Sequence, residues 1–397
     1  MIGLRSALLL VVSFASLVGC AARTAPRLER QPGDLVVLAG RILDPVTAKY
    51  SPPSAIVVRG TRIVEMIPLS RFARQSTDSV IDMSSMTILP GLIDAHVHLA
   101  IGGTVANNAK ADLLAGFTTV ADLGSRTNRM LRIRDSINAG FILGPRVLAT
   151  GMWIGTKGGV CEFNGLGIGG GAQAFRQRVI ENSEAGADLI KVCVSGWPAE
   201  SFAQPEKYEI ADSALAAVVT EAHARRKRVV AHDISRGGIE AGLKYGIDGL
   251  AHTGYLDERL ARELSRRKVF MITTLASLTG SDTSAVSRGL ARSISVARDA
   301  KVQLVFGTDG GVLPHGRNAE EFAALSRAGL SSAEAIRAAT VNAASALGIQ
   351  DSVGMIAPLM SADMIGVEGD PLADVSVLRN VKWVMLRGRT YAPRPPD

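Results

Sequence analysis

Hydrophobic positions along this chain change their period twice. In residues 34–90 short apolar runs alternate with turn residues, and the runs 34–43, 55–66, 80–82 and 87–89 predict β-strands. Asp44-Pro45 and Ser51-Pro52-Pro53 mark turns between the first two. From residue 91 the texture changes. Nearly continuous apolar runs predict strands at 91–98, 118–123, 146–150, 189–194, 229–232, 249–252, 269–273 and 304–307. Between them amphipathic segments predict helices at 105–115, 171–185, 212–225, 236–245 and 257–267, with a final helix at 331–347. After Gly348 strand-like runs return at 363–367, 375–378 and 383–386, closed by Arg387-Gly388.

Strands alternating with helices define an α/β chain, and this pattern over 91–352 predicts a closed (β/α)8 barrel of the TIM type. The alternative is an open doubly wound sheet. That fold usually shows a Gly-rich phosphate loop after its first strand, and none stands there. The strands of 34–90 and 353–397 are too few for independent domains. They predict one small β-sandwich built from both chain ends.

The N-terminus reads as a processing signal. Arg5 supplies a positive charge, 7–18 is a short apolar run, and Leu17-Val18-Gly19-Cys20 is followed by Ala21-Ala22. This resembles a bacterial lipoprotein signal: 1–19 removed, Cys20 lipidated, 20–33 a tether. It implies the periplasmic side of the bacterial cell envelope, with a lipid anchor as the only membrane attachment. A plain secretory signal cleaved near Ala21 or Ala22 would instead release the protein. The formal charge of +7 is scattered, apart from Arg225-Arg226-Lys227-Arg228 and Arg266-Arg267-Lys268 at predicted helix ends. No aromatic-rich basic stripe accompanies them, which argues against nucleic acid as a partner. Self-association as a homo-oligomer is left open. A length of 397 residues with 47% hydrophobic and 20% charged residues is ordinary for a large globular enzyme.

Chemistry concentrates at the ends of the predicted strands. Pro90-Gly91 opens a strand that ends in His96 and His98, one residue apart. Side chains at i and i+2 share a strand face, so the two imidazoles can converge on one metal ion. Two histidines on an exposed strand face would be the bland alternative. Other strand ends carry Lys191, His232, His252 and Asp309, corresponding places on one rim. An ammonium at Lys191 would repel cations among four histidines. CO2 could convert it to a carbamate, an anionic oxygen donor able to bridge two metals. A snorkelling lysine and a Schiff-base nucleophile are the alternatives. Elsewhere, His223 inside helix 212–225 reads as structural, and His315, Arg317 and Tyr255 are candidates for substrate contact beside the rim.

On these residues the chain resembles the amidohydrolase superfamily, in its binuclear, carboxylated-lysine branch. The segment 362–372 of the flanking strands is also similar, so the resemblance covers nearly all of the mature chain. Within the superfamily it is similar to imidazolonepropionase-related and Xaa-Pro-dipeptidase-like hydrolases. Carried over, the resemblance implies that His96, His98 and Asp309 hold one divalent metal, His232 and His252 a second, and carboxylated Lys191 bridges them with a hydroxide. The metals are expected to be zinc. Asp309 would move the proton from the nucleophile to the leaving amine. The expected activity is amide cleavage, in dipeptides or N-acyl amino acids. A cyclic amide, lactone or phosphoester hydrolase with the same metals is one alternative, and a non-catalytic ligand-binding surface lipoprotein is another. A mononuclear deaminase usually has a glutamate soon after the strand-five histidine, whereas Asp233-Ile234-Ser235-Arg236 follows His232. At strand three the relatives commonly place a histidine after paired glycines, but here the run is Gly158-Gly159-Val160-Cys161. Cys193 lies two residues past Lys191 and Cys161 on the loop after the neighbouring strand, so a disulfide could pin that loop over the metals. Two buried thiols would be the alternative.

Overall fold

The computed structural model describes residues 30–31, 33–163, 165–279 and 284–391. The signal segment 1–19, Cys20 and most of the tether lie outside these residues. No helix among them is long and apolar enough to cross a membrane.

The first part of the chain forms β1 (Leu35–Asp44), β2 (Lys49–Ser51), β3 (Ser54–Arg59), β4 (Arg62–Pro68) and β5 (Ser79–Pro90). The single strand predicted over 55–66 is two strands, because Gly60 at φ 59 reverses the chain between β3 and β4. The runs 80–82 and 87–89 belong to one strand, β5.

Eight parallel strands follow in two sheets. β6 (Leu92–Val97), β7 (Phe117–Asp122) and β8 (Arg146–Ala149) form the first. β9 (Ile190–Cys193), β10 (Val229–His232), β11 (Gly249–Ala251), β12 (Phe270–Ile272) and β13 (Leu304–Val305) form the second. Hydrogen bonds join the sheets at both edges. Cys193 N donates to Ile154 O at 2.7 Å, just past β8, and Ala95 N donates to Phe306 O at 2.9 Å, just past β13. Every residue of β6 and β7 is buried, as both faces are covered.

The covering helices are α1 (Val105–Leu114), α2 (Arg129–Asn138), α3 (Gly171–Glu184), α4 (Pro198–Ala203), α5 (Asp212–Ala224), α6 (Arg236–Tyr245), α7 (Glu258–Arg267), α8 (Leu275–Thr279), α9 (Ala285–Asp299) and α10 (Glu320–Arg327). In α7 the Asp257 side chain accepts the Leu260 N–H at the start, and Leu260, Ala261 and Leu264 form its buried stripe. The helix predicted over 331–347 is broken. α11 (Ser332–Arg337) opens on a Ser331/Glu334 capping box, a π-helical turn spans Ala338–Asn342, and α12 (Ala343–Leu347) follows. The wider turn lets Ala338 O accept the Phe306 N–H at 3.1 Å, and Asn342 Nδ2 donates to Leu304 O at 2.8 Å.

The chain then returns to its beginning. β14 (Met364–Val367), β15 (Trp383–Leu386) and β16 (Arg389–Tyr391) join β1–β5 in one eight-stranded sheet, with β14 pairing antiparallel to β5. The strand predicted at 375–378 is instead a 3-10 helix, Val375–Arg379. Its buried residues Val375 and Leu378 are three apart, and the Asp374 carboxylate accepts the Ser376 N–H at its start.

Candidate active site

The C-terminal ends of β6, β9, β10, β11 and β13 bring together the six residues singled out at the strand ends. His96 Nε2 lies 3.4 Å and His98 Nε2 3.1 Å from the same Asp309 oxygen. These three side chains offer ligand atoms all within 4.8 Å of one another. His252 stands between the first pair and β10, its ring centroid 4.7 Å from those of both His96 and His232. Lys191 is buried among them and its Nζ has no hydrogen-bond partner.

Local backbone aims these groups. His252 and Asp309 adopt φ of 69 and 57, left-handed conformations that turn each side chain out of the strand direction and are uncommon for residues other than glycine. Asp309 N donates to His96 O at 2.8 Å. Beneath them Asp94 accepts from His96 N, Thr308 N, Thr308 Oγ1 at 2.6 Å and Asn318 Nδ2 at 2.8 Å, which fixes the end of β6 against the segment after β13. Sequence reasoning missed Asp94 as a site residue. Its signal was present: Asp94, His96 and His98 share one strand face.

Second partners set the tautomers. Gly124 O can only accept, so the His98 Nδ1 at 3.1 Å donates to it. The other ring nitrogen, Nε2, is thereby turned toward the Asp309 carboxylate. His252 Nδ1 lies 2.8 Å from Thr274 Oγ1, and His232 Nε2 lies 3.4 Å from Gly196 O. Both nitrogens of His96 are buried without a hydrogen-bond partner. Buried polar atoms of this kind call for a ligand.

Burial, followed by the Lys191 charge, holds His96 well below the ordinary histidine range. Burial, with the cost of placing a proton beside a protonated His232, does the same to His252, and burial lowers His232 to about 4. These three imidazoles are therefore neutral and available as donors. Burial also brings Lys191 down to about 7, opposed by the Asp309 charge. Burial pushes Asp309 upward, but the His98 hydrogen bond and the electrostatic pull of the surrounding histidines and Lys191 outweigh it and lower it. The donor set thus fits divalent cations: neutral imidazoles, one ionised carboxylate and a lysine near neutrality.

The donors floor a cavity of about 90 Å3 with an apolar mouth, including Ile101, Trp153, Phe163, Trp197, Leu278 and Val312. Trp153 packs with its ring centroid 5.5 Å from that of His98 and 4.6 Å from that of Phe163. Gly124 makes room for it, since a Cβ there would lie 2.1 Å from Trp153 Nε1. This aromatic wall carried no distinct sequence signal. Cys161 and Cys193 form a disulfide in the cavity wall, with Cα atoms 6.2 Å apart, tying the loop after β8 to the end of β9.

The three candidate substrate contacts are engaged elsewhere, and none lines this cavity. His315 Nδ1 pairs with the buried Asp112 at 2.9 Å, and its Nε2 lies 3.3 Å from His98 O. Arg317 pairs with Glu320 at 2.6 Å on the surface. Tyr255 donates to Phe202 O at 3.0 Å and packs on that ring. His223 pairs with Asp248 at 2.9 Å on an exposed helix face.

The sequence profile of the amidohydrolase family matches residues 87–391. The chain belongs to the amidohydrolase family. Among structures similar to this amidohydrolase is a Xaa-Pro dipeptidase with bound methionine, at 26% identity and a TM-score of 0.82, covering 90% of this chain and 100% of that one. A prolidase complexed with N-methylphosphonate-L-proline matches at 26% identity and a TM-score of 0.80, covering 91% of this chain and 100% of that one. Ochratoxinase of Aspergillus niger is 25% identical over 356 residues, 75% of this chain and 73% of its own. Family and relatives together make this chain an amide-bond hydrolase, dipeptidase-like in its similarities.

Proposed function

We propose that this amidohydrolase is a binuclear metal enzyme that cleaves dipeptides or N-acyl amino acids, and that its two parallel sheets close into a (β/α)8 barrel beside a sandwich formed by the sheet of both chain ends. One observation carries the proposal: four imidazoles, Lys191 and Asp309 converge from five strand ends into one buried cavity, where the His96 ring nitrogens and Lys191 Nζ have no hydrogen-bond partner. His96, His98 and Asp309 would hold one cation, His232 and His252 the other. Divalent cations there, zinc above all, would polarise the amide carbonyl and acidify the attacking water.

The side chains do the rest. Burial lowers Lys191 to about 7, so the neutral amine is accessible at neutral pH, and a neutral amine is what adds to CO2. Its nitrogen would bond to the CO2 carbon and lose one proton, leaving a carbamate anion whose oxygens would add to the donors for both cations. Asp309, kept ionised, takes a proton from the attacking water and delivers it to the departing amine. The apolar mouth excludes water around the amide. A lipoprotein-type N-terminus and the Cys161–Cys193 disulfide support a lipid-anchored place in the cell envelope, outside the reducing cytoplasm.

Turnover of a panel of Xaa-Pro dipeptides, other dipeptides and N-acyl amino acids by zinc-loaded protein tests the substrate class. Hydrolysis within this panel is expected, lost in Asp309→Asn. Cleavage confined to lactones or phosphoesters would contradict it.

A further inference from the structure

The cavity over the metal ligands is small. A space of about 90 Å3 has room for about three waters, enough for an amide group but not for a whole dipeptide. The rest of a substrate must extend beyond it. Two larger cavities lie nearby. One, of about 360 Å3, is lined by Lys157, Glu200, Lys207 and Glu209 and shares no lining residue with the metal cavity. Its Glu209 is engaged with the Val160 N–H at 2.9 Å.

The other, of about 630 Å3, adjoins the metal cavity. Ile101, Trp153 and Phe163 line both cavities, so these three side chains form a shared wall. Val105, Met130 and Ile133 complete an apolar lining between α1 and α2. Its size is that of a small-molecule pocket. Arg126 and Arg129 stand at this cavity, both exposed, and no ion pair among the described residues engages either one. Most other surface arginines of the α2–α3 and α7 region do have acidic partners, such as Arg176 with Glu221, Arg178 with Glu181 and Arg266 with Glu263. Two unengaged guanidinium groups beside an apolar hollow complement an anion with an apolar body.

We propose that this cavity binds the part of the substrate distal to the scissile amide, an apolar body that ends in a carboxylate, and that Arg126 and Arg129 hold that carboxylate. The proposal rests on the metal cavity being the place of amide cleavage. Substrate would lie across Trp153 and Phe163, with its amide over the histidines and its charged end at the arginines. Amides with an acidic, hydrophobic acyl or aryl group are then favoured over neutral amides.

Calorimetric titration of the metal-loaded protein with octanoate and with octanamide tests it. Wild type should bind octanoate at least about tenfold more tightly than octanamide, and added salt should narrow the gap. The R126A/R129A variant, altered only at exposed positions, should bind octanoate no better than octanamide and leave octanamide affinity unchanged. Ala100→Trp, also at an exposed position, should fill the cavity and weaken both probes. Equal binding of both probes to wild type, octanoate binding untouched by R126A/R129A (a carboxylate taken by the metals instead), or no binding at all would overturn the assignment. Turnover of a neutral amide by the same preparations is read separately. No octanoate preference in wild type with turnover intact sinks only the distal site, whereas no turnover in wild type sinks the catalytic reading beneath it.

Discussion

Lys191 shows how one buried side chain can set the pH behaviour of a whole site. His96, His232 and His252 are held neutral to well below pH 6, so they do not titrate where the enzyme would work. Lys191, near 7, does. Its ammonium form repels cations and cannot add CO2, so metal occupancy should fall as pH drops below about 7 and rise above it. Lys191→Met should flatten that dependence and reduce activity, and zinc titrations between pH 6 and 8 with and without bicarbonate would show it; an unchanged slope in the variant would remove Lys191 from the account. Thr274 offers a second test. It holds a left-handed φ of 51, costly for a β-branched residue, with its hydroxyl 2.8 Å from His252 Nδ1. Thr274→Val should lower metal affinity by about 10–100-fold without unfolding the protein, as loss of an outer partner to a ligand does. Equal zinc affinity in competition with a chelator would argue against that role. All six strand-end residues were legible in the sequence because strand period and strand-end position place them. Asp94 and Trp153 were not read as site residues. An aspartate inside an apolar strand and a tryptophan after a strand look like ordinary core until their partners are known.

Elements explain where sequence pattern failed. α2 escaped prediction because Arg134, on its inner side, is buried and ion-paired with Asp188 at 2.6 Å, which interrupts the apolar stripe. α9 buries Ser287 and Ser293, and Ser293 donates to Gly254 O at 2.9 Å, so polar residues occupy its core face. The π-helical turn at Ala338–Asn342 depends on bonds to β13 and the segment after it, which no local propensity encodes. Two elements carry stability tests. The disulfide closes a loop with a sequence separation of 32, so the C161S/C193S variant should lose about 4 kcal/mol in denaturant unfolding. Equal stability of variant and wild type would mean the bridge constrains nothing. Glu321 on α10 accepts the N–H groups of Leu275 and Ala276 at the start of α8, and burial raises it to about 7. A carboxyl raised in the fold favours the native state when protonated. That contribution is complete below about pH 4.5 and lost as pH rises through about 7. Glu321→Gln should therefore gain on wild type by up to about 3 kcal/mol between those limits, measured as unfolding free energy against pH. A constant difference across the range would contradict the raised value.

At the scale of the molecule, both chain ends build one sheet, and that sheet abuts the parallel strands. β5 runs into β6 through Pro90-Gly91, so the strand that presents His96 and His98 is continuous with the terminal sheet. Arg146 at the start of β8 pairs with Asp363 at 2.9 Å, a second tie between the two parts. The α/β class and all eight parallel strands were legible because their residues are buried on both faces and read as unbroken apolar runs. The way the terminal strands pair was not, since β1 with β5 and β5 with β14 are contacts between distant segments that leave no local period. The central claim is that these strand ends assemble a centre for two divalent cations with Lys191 as the bridging group. Elemental analysis of the purified protein, reconstituted with zinc and bicarbonate beside its Lys191→Met variant, tests it most directly. The account predicts two zinc ions per chain in wild type and fewer in the variant. A single ion in both, or none in either, would contradict it.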